Sequence, residues 1–263
     1  MAQQVLWAAT GTGFTFLMTT LGASLVFFFR KSVSDNFQRV FLGFAAGVMV
    51  AASVWGLLIP AMEEAEQNGS PGWMVGAGGV ILGAAFLLVL DQLLPHLHLD
   101  APKPEGRPAS WRRTTLLLLA VTLHNIPEGM AVGFAFALAA GEAGDPLLTG
   151  AAALALGIGI QNFPEGAAIA LPLRREGMST GKSFLYGTLS GAVEPLFGVL
   201  AVVVASFAQG LMPWMLSFAA GAMLYVVVEE LIPEAHLGEH SHLGTLSVLG
   251  GFLLMMVLDT TLG

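Results

Sequence analysis

Two short stretches place polar side chains inside runs that are otherwise fit for lipid. "HNIPEG" begins at His124 within "TTLLLLAVTLHNIPEGMAVGFAFALAA", and "QNFPEG" begins at Gln161 within a second apolar run. On a helix, positions i, i+1 and i+4 fall within about 100° of arc. His124, Asn125 and Glu128 therefore share one face of one helix, and Gln161, Asn162 and Glu165 share the matching face of another. A third carboxylate, Glu194, lies in "SGAVEPLFG", again mid-run and again followed by proline.

The chemistry of this donor set is that of a cation site. Carboxylates, one neutral imidazole and amide oxygens give net negative charge with mixed nitrogen and oxygen donors, which suits Zn²⁺ and also Fe²⁺, Mn²⁺, Co²⁺ or Cd²⁺. The chain has no cysteine, so thiolate sites and disulfides are excluded. A carboxylate at the centre of a bilayer costs about 3 kcal/mol even on the lenient insertion scale, so these acids must face one another, water or a cation. Pro127 and Pro164 each remove a backbone donor, which is tolerated at such depth where the helix lines a cavity or packs in protein. Gly129 and Gly166 are expected to let these two helices approach each other closely.

The elements that must hold these residues follow from composition. Only 11% of the residues are charged, 55% are hydrophobic and the mean hydropathy is +0.76. A soluble domain would carry about a quarter charged residues, so this is an all-α polytopic membrane protein. The net charge of -8, without a basic patch, excludes a nucleic-acid partner. A span needs about 20 mostly apolar residues. Eight are expected, near 5–29, 38–62, 72–95, 113–140, 147–173, 182–208, 212–234 and 243–262, within one transmembrane domain covering 1–263. The first reads as a membrane helix rather than a cleaved signal, since it lacks a basic n-region and ends at Arg30 and Lys31.

Orientation follows from the basic residues. Arg30, Lys31 and Arg39, then Lys103, Arg107, Arg112 and Arg113, then Arg174, Arg175 and Lys182 all fall on one side of an eight-span chain. The positive-inside rule makes that side cytoplasmic and puts both termini outside the cytoplasm. The opposite loops carry Glu63, Glu64, Glu66, Glu142 and Asp145, either simply solvated or gathering cations. "FAAGVMVAASVWGLLIPAMEEA" from Phe44 resembles "FAAGAMLYVVVEELIPEAH" from Phe218 with a one-residue slip, in spans of opposite direction. Such matches are the pattern of an inverted repeat, here 3+2+3, with a site near the membrane midplane between the halves. "GWMVGAGGVILG" spaces Gly72 from Gly76 and Gly79 from Gly83 as in GxxxG, which fits either a second protomer in a homodimer or internal packing.

Paired "HNIPEG" and "QNFPEG", with "EP" in the next span, resemble the ZIP (Zrt-/Irt-like) family of divalent metal transporters, and most of all its bacterial GufA-like branch. The resemblance covers all eight spans and implies a location in the cell (inner) membrane. It implies movement of zinc, or a similar divalent ion, into the cytoplasm through a site between the fourth and fifth spans. By that resemblance His124, Glu128, Gln161 and Glu165 match the primary metal ligands. Asn125, Asn162, Glu165 and Glu194 match a second position, and Met49 matches a methionine beside the primary site, although its residue type alone favours packing. Some relatives carry Asp where this chain has Asn162, so the second position should hold a cation more weakly here. The resemblance also implies an elevator-type sliding of the first, fourth, fifth and sixth spans against the rest, and an exit relay on the cytoplasmic side. Asp91, His96, His98, Glu229, Glu230, His236, His240 and His242 match that relay. Asp259, in the last span, has no assigned part.

A passive metal channel with the same ligands stays open at this level. An intramembrane metallohydrolase is disfavoured: it needs three firm ligands, activated water and a general base, whereas the spans hold one histidine and no HExxH. No organic cofactor and no catalytic residue is expected; the partners are metal ions and the lipid bilayer.

Overall fold

Inside lipid a helix satisfies every backbone N–H and C=O within its own segment, and among the described residues the computed structural model contains helices alone. It describes residues 1–29, 34–95, 113–139, 146–235 and 242–262. Helix α1 (Ala2–Ala23) ends in a 3-10 turn at Ser24–Phe27. Helix α2 (Asp35–Ala51) starts where the Ser34 hydroxyl accepts from the Phe37 N–H, passes through a π-helical stretch, Ala52–Leu58, and continues as α3 (Ile59–Gln67). Then come α4 (Gly72–Leu93), α5 (Arg113–Leu138), α6 (Pro146–Arg175), α7 (Thr180–Gly191) and α8 (Val193–Phe207). Helix α9 (Met212–Val226) runs through a second π stretch, Val227–Leu231, into α10 (Ile232–Ala235), and α11 (His242–Leu262) closes the chain. Among the described residues, seven helical segments are long and apolar enough to cross a membrane, so the chain is a multi-pass membrane protein. The 26-residue α5, which carries "HNIPEG", is a helix of similar length.

Element boundaries differ from expectation in two informative places. Helix α3 carries the second span on to Gln67, so Glu63, Glu64 and Glu66 lie on a helix rather than in a loop. The expected span 182–208 is broken at Ala192, whose N–H reaches back only to the Leu189 carbonyl. Pro195 is the cause, because it has no N–H for the Gly191 carbonyl and its ring crowds the preceding turn.

The helices pack as two groups. Helix α1 lies along α6 and α5 along α8, with α7 against both α1 and α6; α2 lies along α11 and α4 along α9. The second group repeats itself in detail. A Cβ at Gly47 of α2 would strike the Val248 carbonyl of α11, and one at Gly221 of α9 would strike the Val80 carbonyl of α4. Reciprocally, Gly251 abuts the Phe44 carbonyl and Gly83 the Phe218 carbonyl. The two "FAAG" segments thus make equivalent backbone contacts. Both enter π stretches before "LIP", and the extra residue of α2 falls in that interval, where the π stretch is 7 residues rather than 5.

The GxxxG-spaced glycines of α4 are used within the chain. Gly79 and Gly83 meet Ser217 and Phe218 of α9, while Gly72 and Gly76 meet Glu66 and Met62 of α3. Of the two packings that the spacing allowed, these contacts are internal. The opposite face of α4 exposes Ile81 and Leu88. At one end of the molecule Phe37 and Gln38 of α2 share a cleft with Pro172 and Arg175 of α6, so Arg175 and Arg39 belong to the same end, as the charge pattern requires. Arg30, Lys31, Lys103, Arg107, Arg112, Glu142 and Asp145 lie outside the described residues.

Candidate metal centre

Helix α5 continues through Pro127, and α6 through Pro164, without a break. The polar triplets therefore keep helical spacing, and both turn inward. Asn125, Glu128, Gln161, Asn162, Glu165 and Glu194 are all buried. Gln161 Nε2 donates to Glu128 Oε1 at 3.0 Å, which joins the two motifs directly. Asn125 Nδ2 donates to the Ser190 carbonyl at 2.9 Å, and Asn162 Nδ2 donates to Glu194 Oε2 at 2.8 Å.

Every amide nitrogen of the two motifs is thus occupied, and the amide oxygens are left without a donor among the described residues. Asn125 Oδ1, Glu128 Oε2, Gln161 Oε1 and Asn162 Oδ1 are buried and accept no hydrogen bond from any described residue. An unpaired buried acceptor costs about 1–3 kcal/mol. Four such acceptors lie on these two motifs, of the kind that a bound cation would satisfy. Glu165, 8% exposed, lies one turn beyond Gln161 on the same face of α6. Among the described residues, no three His, Asp or Glu side chains converge closely enough to cage an ion by themselves. The set relies on amide oxygens, and the histidine is turned elsewhere.

His124 points across to the other helix group, where its Nε2 contacts Glu230 Oε1 in the π stretch after α9. Glu230 is 7% exposed. The exit-relay expectation grouped it with Glu229, but the two diverge: Glu229 is exposed, and Glu230 lies beside the first motif. A sequence pair at i and i+1 projects about 100° apart on an α-helix, and the π stretch alters that angle further. Of the other relay residues, Asp91 is half-buried and accepts from the Tyr225 hydroxyl at 3.5 Å, the long limit for such a bond, and His242 is exposed at the start of α11. His96, His98, His236 and His240 lie outside the described residues. Met49 is wholly buried in the apolar core. Asp259 is buried on α11, one turn beyond Met255, with Oδ2 accepting no hydrogen bond from a described residue.

Two contributors escaped sequence reasoning. The Thr15 and Thr19 hydroxyls of α1 both reach Glu194: Thr15 Oγ1 donates to Oε2, and Thr19 Oγ1 approaches Oε1 at 3.4 Å. The available signal was the stripe Thr12, Thr15, Thr19, a polar face at 3- and 4-residue spacing in an otherwise apolar helix. Gly129 and Gly166 also act otherwise than expected. A Cβ at Gly166 would collide with the Thr19 carbonyl of α1, and one at Gly129 with the backbone of Glu194 in α8. They let α6 approach α1 and α5 approach α8, rather than bringing α5 and α6 together.

Residues 109–259 match the sequence model of the ZIP zinc transporter family. The chain is 39% identical to zinc transporter ZIP11 of Xenopus tropicalis, over 98% of each chain. It is 39% identical to zinc transporter GufA of Myxococcus xanthus, over 98% of this chain and 97% of the relative. With zinc transporter ZIPB of Bordetella bronchiseptica it shares 38% identity, over 98% of this chain and 82% of the relative.

Proposed function

The chain belongs to the ZIP zinc transporter family, and we propose that it carries zinc, with Cd²⁺, Fe²⁺, Mn²⁺ and Co²⁺ as competing substrates, across the cell (inner) membrane into the cytoplasm. Family membership makes it a transporter rather than an enzyme. The observation that carries the site reading is the set of four unpaired oxygens on Asn125, Glu128, Gln161 and Asn162. With Glu165 and the imidazole of His124 they form the mixed, negatively charged donor set that a borderline divalent ion prefers, and carboxamide oxygens hold it weakly enough for release. Glu128, Gln161, Glu165 and His124 are the primary ligands of this reading; Asn125, Asn162, Glu165 and Glu194 surround a second position. Met49 neighbours the path.

Release follows from competition at His124. An imidazole nitrogen that donates to Glu230 has no lone pair left for a metal, so the ion and Glu230 compete for Nε2. Capture draws His124 to the ion, and return of His124 to Glu230 frees it. Asp91, Glu229 and the histidines His96, His98, His236, His240 and His242 would then relay the ion toward the cytoplasm.

The transport unit of this proposal is α1, α5, α6 and α7–α8, sliding against α2–α3, α4, α9–α10 and α11 across eight spans, with both termini outside. Its support is the pairing of helices within each group and the equivalent contacts of the two "FAAG" segments, as an inverted repeat requires. Zinc uptake into proteoliposomes tests the function: saturable flux that vanishes when Glu128 and Glu165 are replaced supports it, and undiminished flux in that variant refutes the site.

A further inference from the structure

We infer that Thr15 and Thr19 of α1 are positioning residues of the metal centre, acting through Glu194 and Asn162; the inference rests on the site reading above. Glu194 is 0% exposed, and a carboxylate so placed is stabilised only by donors that reach it. Its donors come from two other helices. Thr15 Oγ1 and Asn162 Nδ2 share Oε2, and Thr19 Oγ1 faces Oε1. Thr15 and Thr19 are one helical turn apart, so their hydroxyls address both oxygens of one carboxylate and hold it in a single orientation.

That orientation reaches the ion-facing oxygens by two routes. Through its side chain, Glu194 engages the nitrogen of Asn162, which leaves Oδ1 as the amide atom without a described donor. Through its backbone, Glu194 abuts Gly129, the residue after Glu128. A loosened Glu194 frees the Asn162 amide to rotate and relaxes the turn that carries Glu128. Hydrogen bonds to ionised groups are the stronger kind, so losing the pair should be felt in ion affinity.

A competing account is that these hydroxyls only satisfy their own helix. Thr10, Thr12 and Thr20 donate to the carbonyls of Leu6, Ala8 and Phe16, and Thr15 and Thr19 have such acceptors in Thr12 and Thr15. On that account the hydroxyls matter to local stability alone.

The test uses the full chain in proteoliposomes, with initial rates of Zn²⁺ uptake against Zn²⁺ concentration. Valine keeps the shape of threonine, including the methyl that packs on Gly191, and removes only the hydroxyl. For Thr15→Val/Thr19→Val the expected result is a rise in KM of about tenfold with kcat within about twofold, the loss of a charge-assisted hydrogen bond. Thr15→Ser/Thr19→Ser should return KM to the wild-type range. Wild-type KM in the double valine variant overturns the inference, as does a raised KM that serine fails to rescue. Should the double variant not fold, the same comparison on Thr15→Val alone decides. Glu128→Ala is measured alongside: uptake that survives it sinks the site reading itself, whereas its loss beside an unchanged valine variant sinks only the threonine role.

Discussion

His124 Nε2 contacts Glu230 Oε1, joining α5 of one helix group to the π stretch of the other, one turn from Glu128. The pair is made of residues 106 positions apart in the chain. It couples the one histidine of the two polar motifs to the helix group that the transport reading holds stationary. Replacing Glu230 by alanine removes the competitor for that nitrogen. The expected outcome is tighter ion binding and slower release: KM for zinc falls several-fold while kcat drops about tenfold, each tenfold being about 1.4 kcal/mol. His124→Ala should move KM the opposite way. A double-mutant cycle on uptake rates checks the coupling, and strictly additive effects of the two changes would refute it.

Glu128→Ala and Glu165→Ala should each reduce zinc uptake by at least about 100-fold, since removing a charged ligand forfeits several kcal/mol of ion binding. Insertion should be unaffected, as read from membrane-fraction yield and gel filtration in detergent. Gln161→Ala should be milder, because it removes one neutral donor of Glu128 and one neutral oxygen. Equal effects of all three would argue that the motif is structural.

Close approach at Gly166 sets a stability prediction. Gly166→Ala forces the Thr19 carbonyl away and should destabilise the fold by about 1–3 kcal/mol, with Gly166→Leu preventing recovery of folded protein. Gly13→Ala, where nothing lies within 4 Å of the added methyl, is the control and should be neutral or slightly stabilising. Thermal unfolding in detergent distinguishes them; equal melting temperatures for Gly166→Ala and Gly13→Ala would contradict the packing of α1 on α6.

Because the chain has no cysteine, its orientation can be read with single introduced thiols. Gln4→Cys and Thr261→Cys should react with a membrane-impermeant maleimide added to intact cells. Met178→Cys, between α6 and α7, should react only after permeabilisation. The reverse pattern would invert the assigned direction.

Much of this molecule was legible from one dimension. The spans follow from apolar runs that lipid forces into helices, and the inward faces of α5 and α6 follow from 3.6-residue periodicity acting on His124, Asn125, Glu128 and on Gln161, Asn162, Glu165. Partnership across space was another matter. Periodicity assigns a residue to a face of its own helix and is silent about what packs there. Only the tertiary packing turned Gly129 and Gly166 toward α8 and α1, brought the Thr15 and Thr19 hydroxyls to Glu194, and parted Glu230 from Glu229 to meet His124. Those contacts depend on how closely two backbones approach and at what angle, quantities summed over many side chains on several helices and carried by no single stretch of the chain.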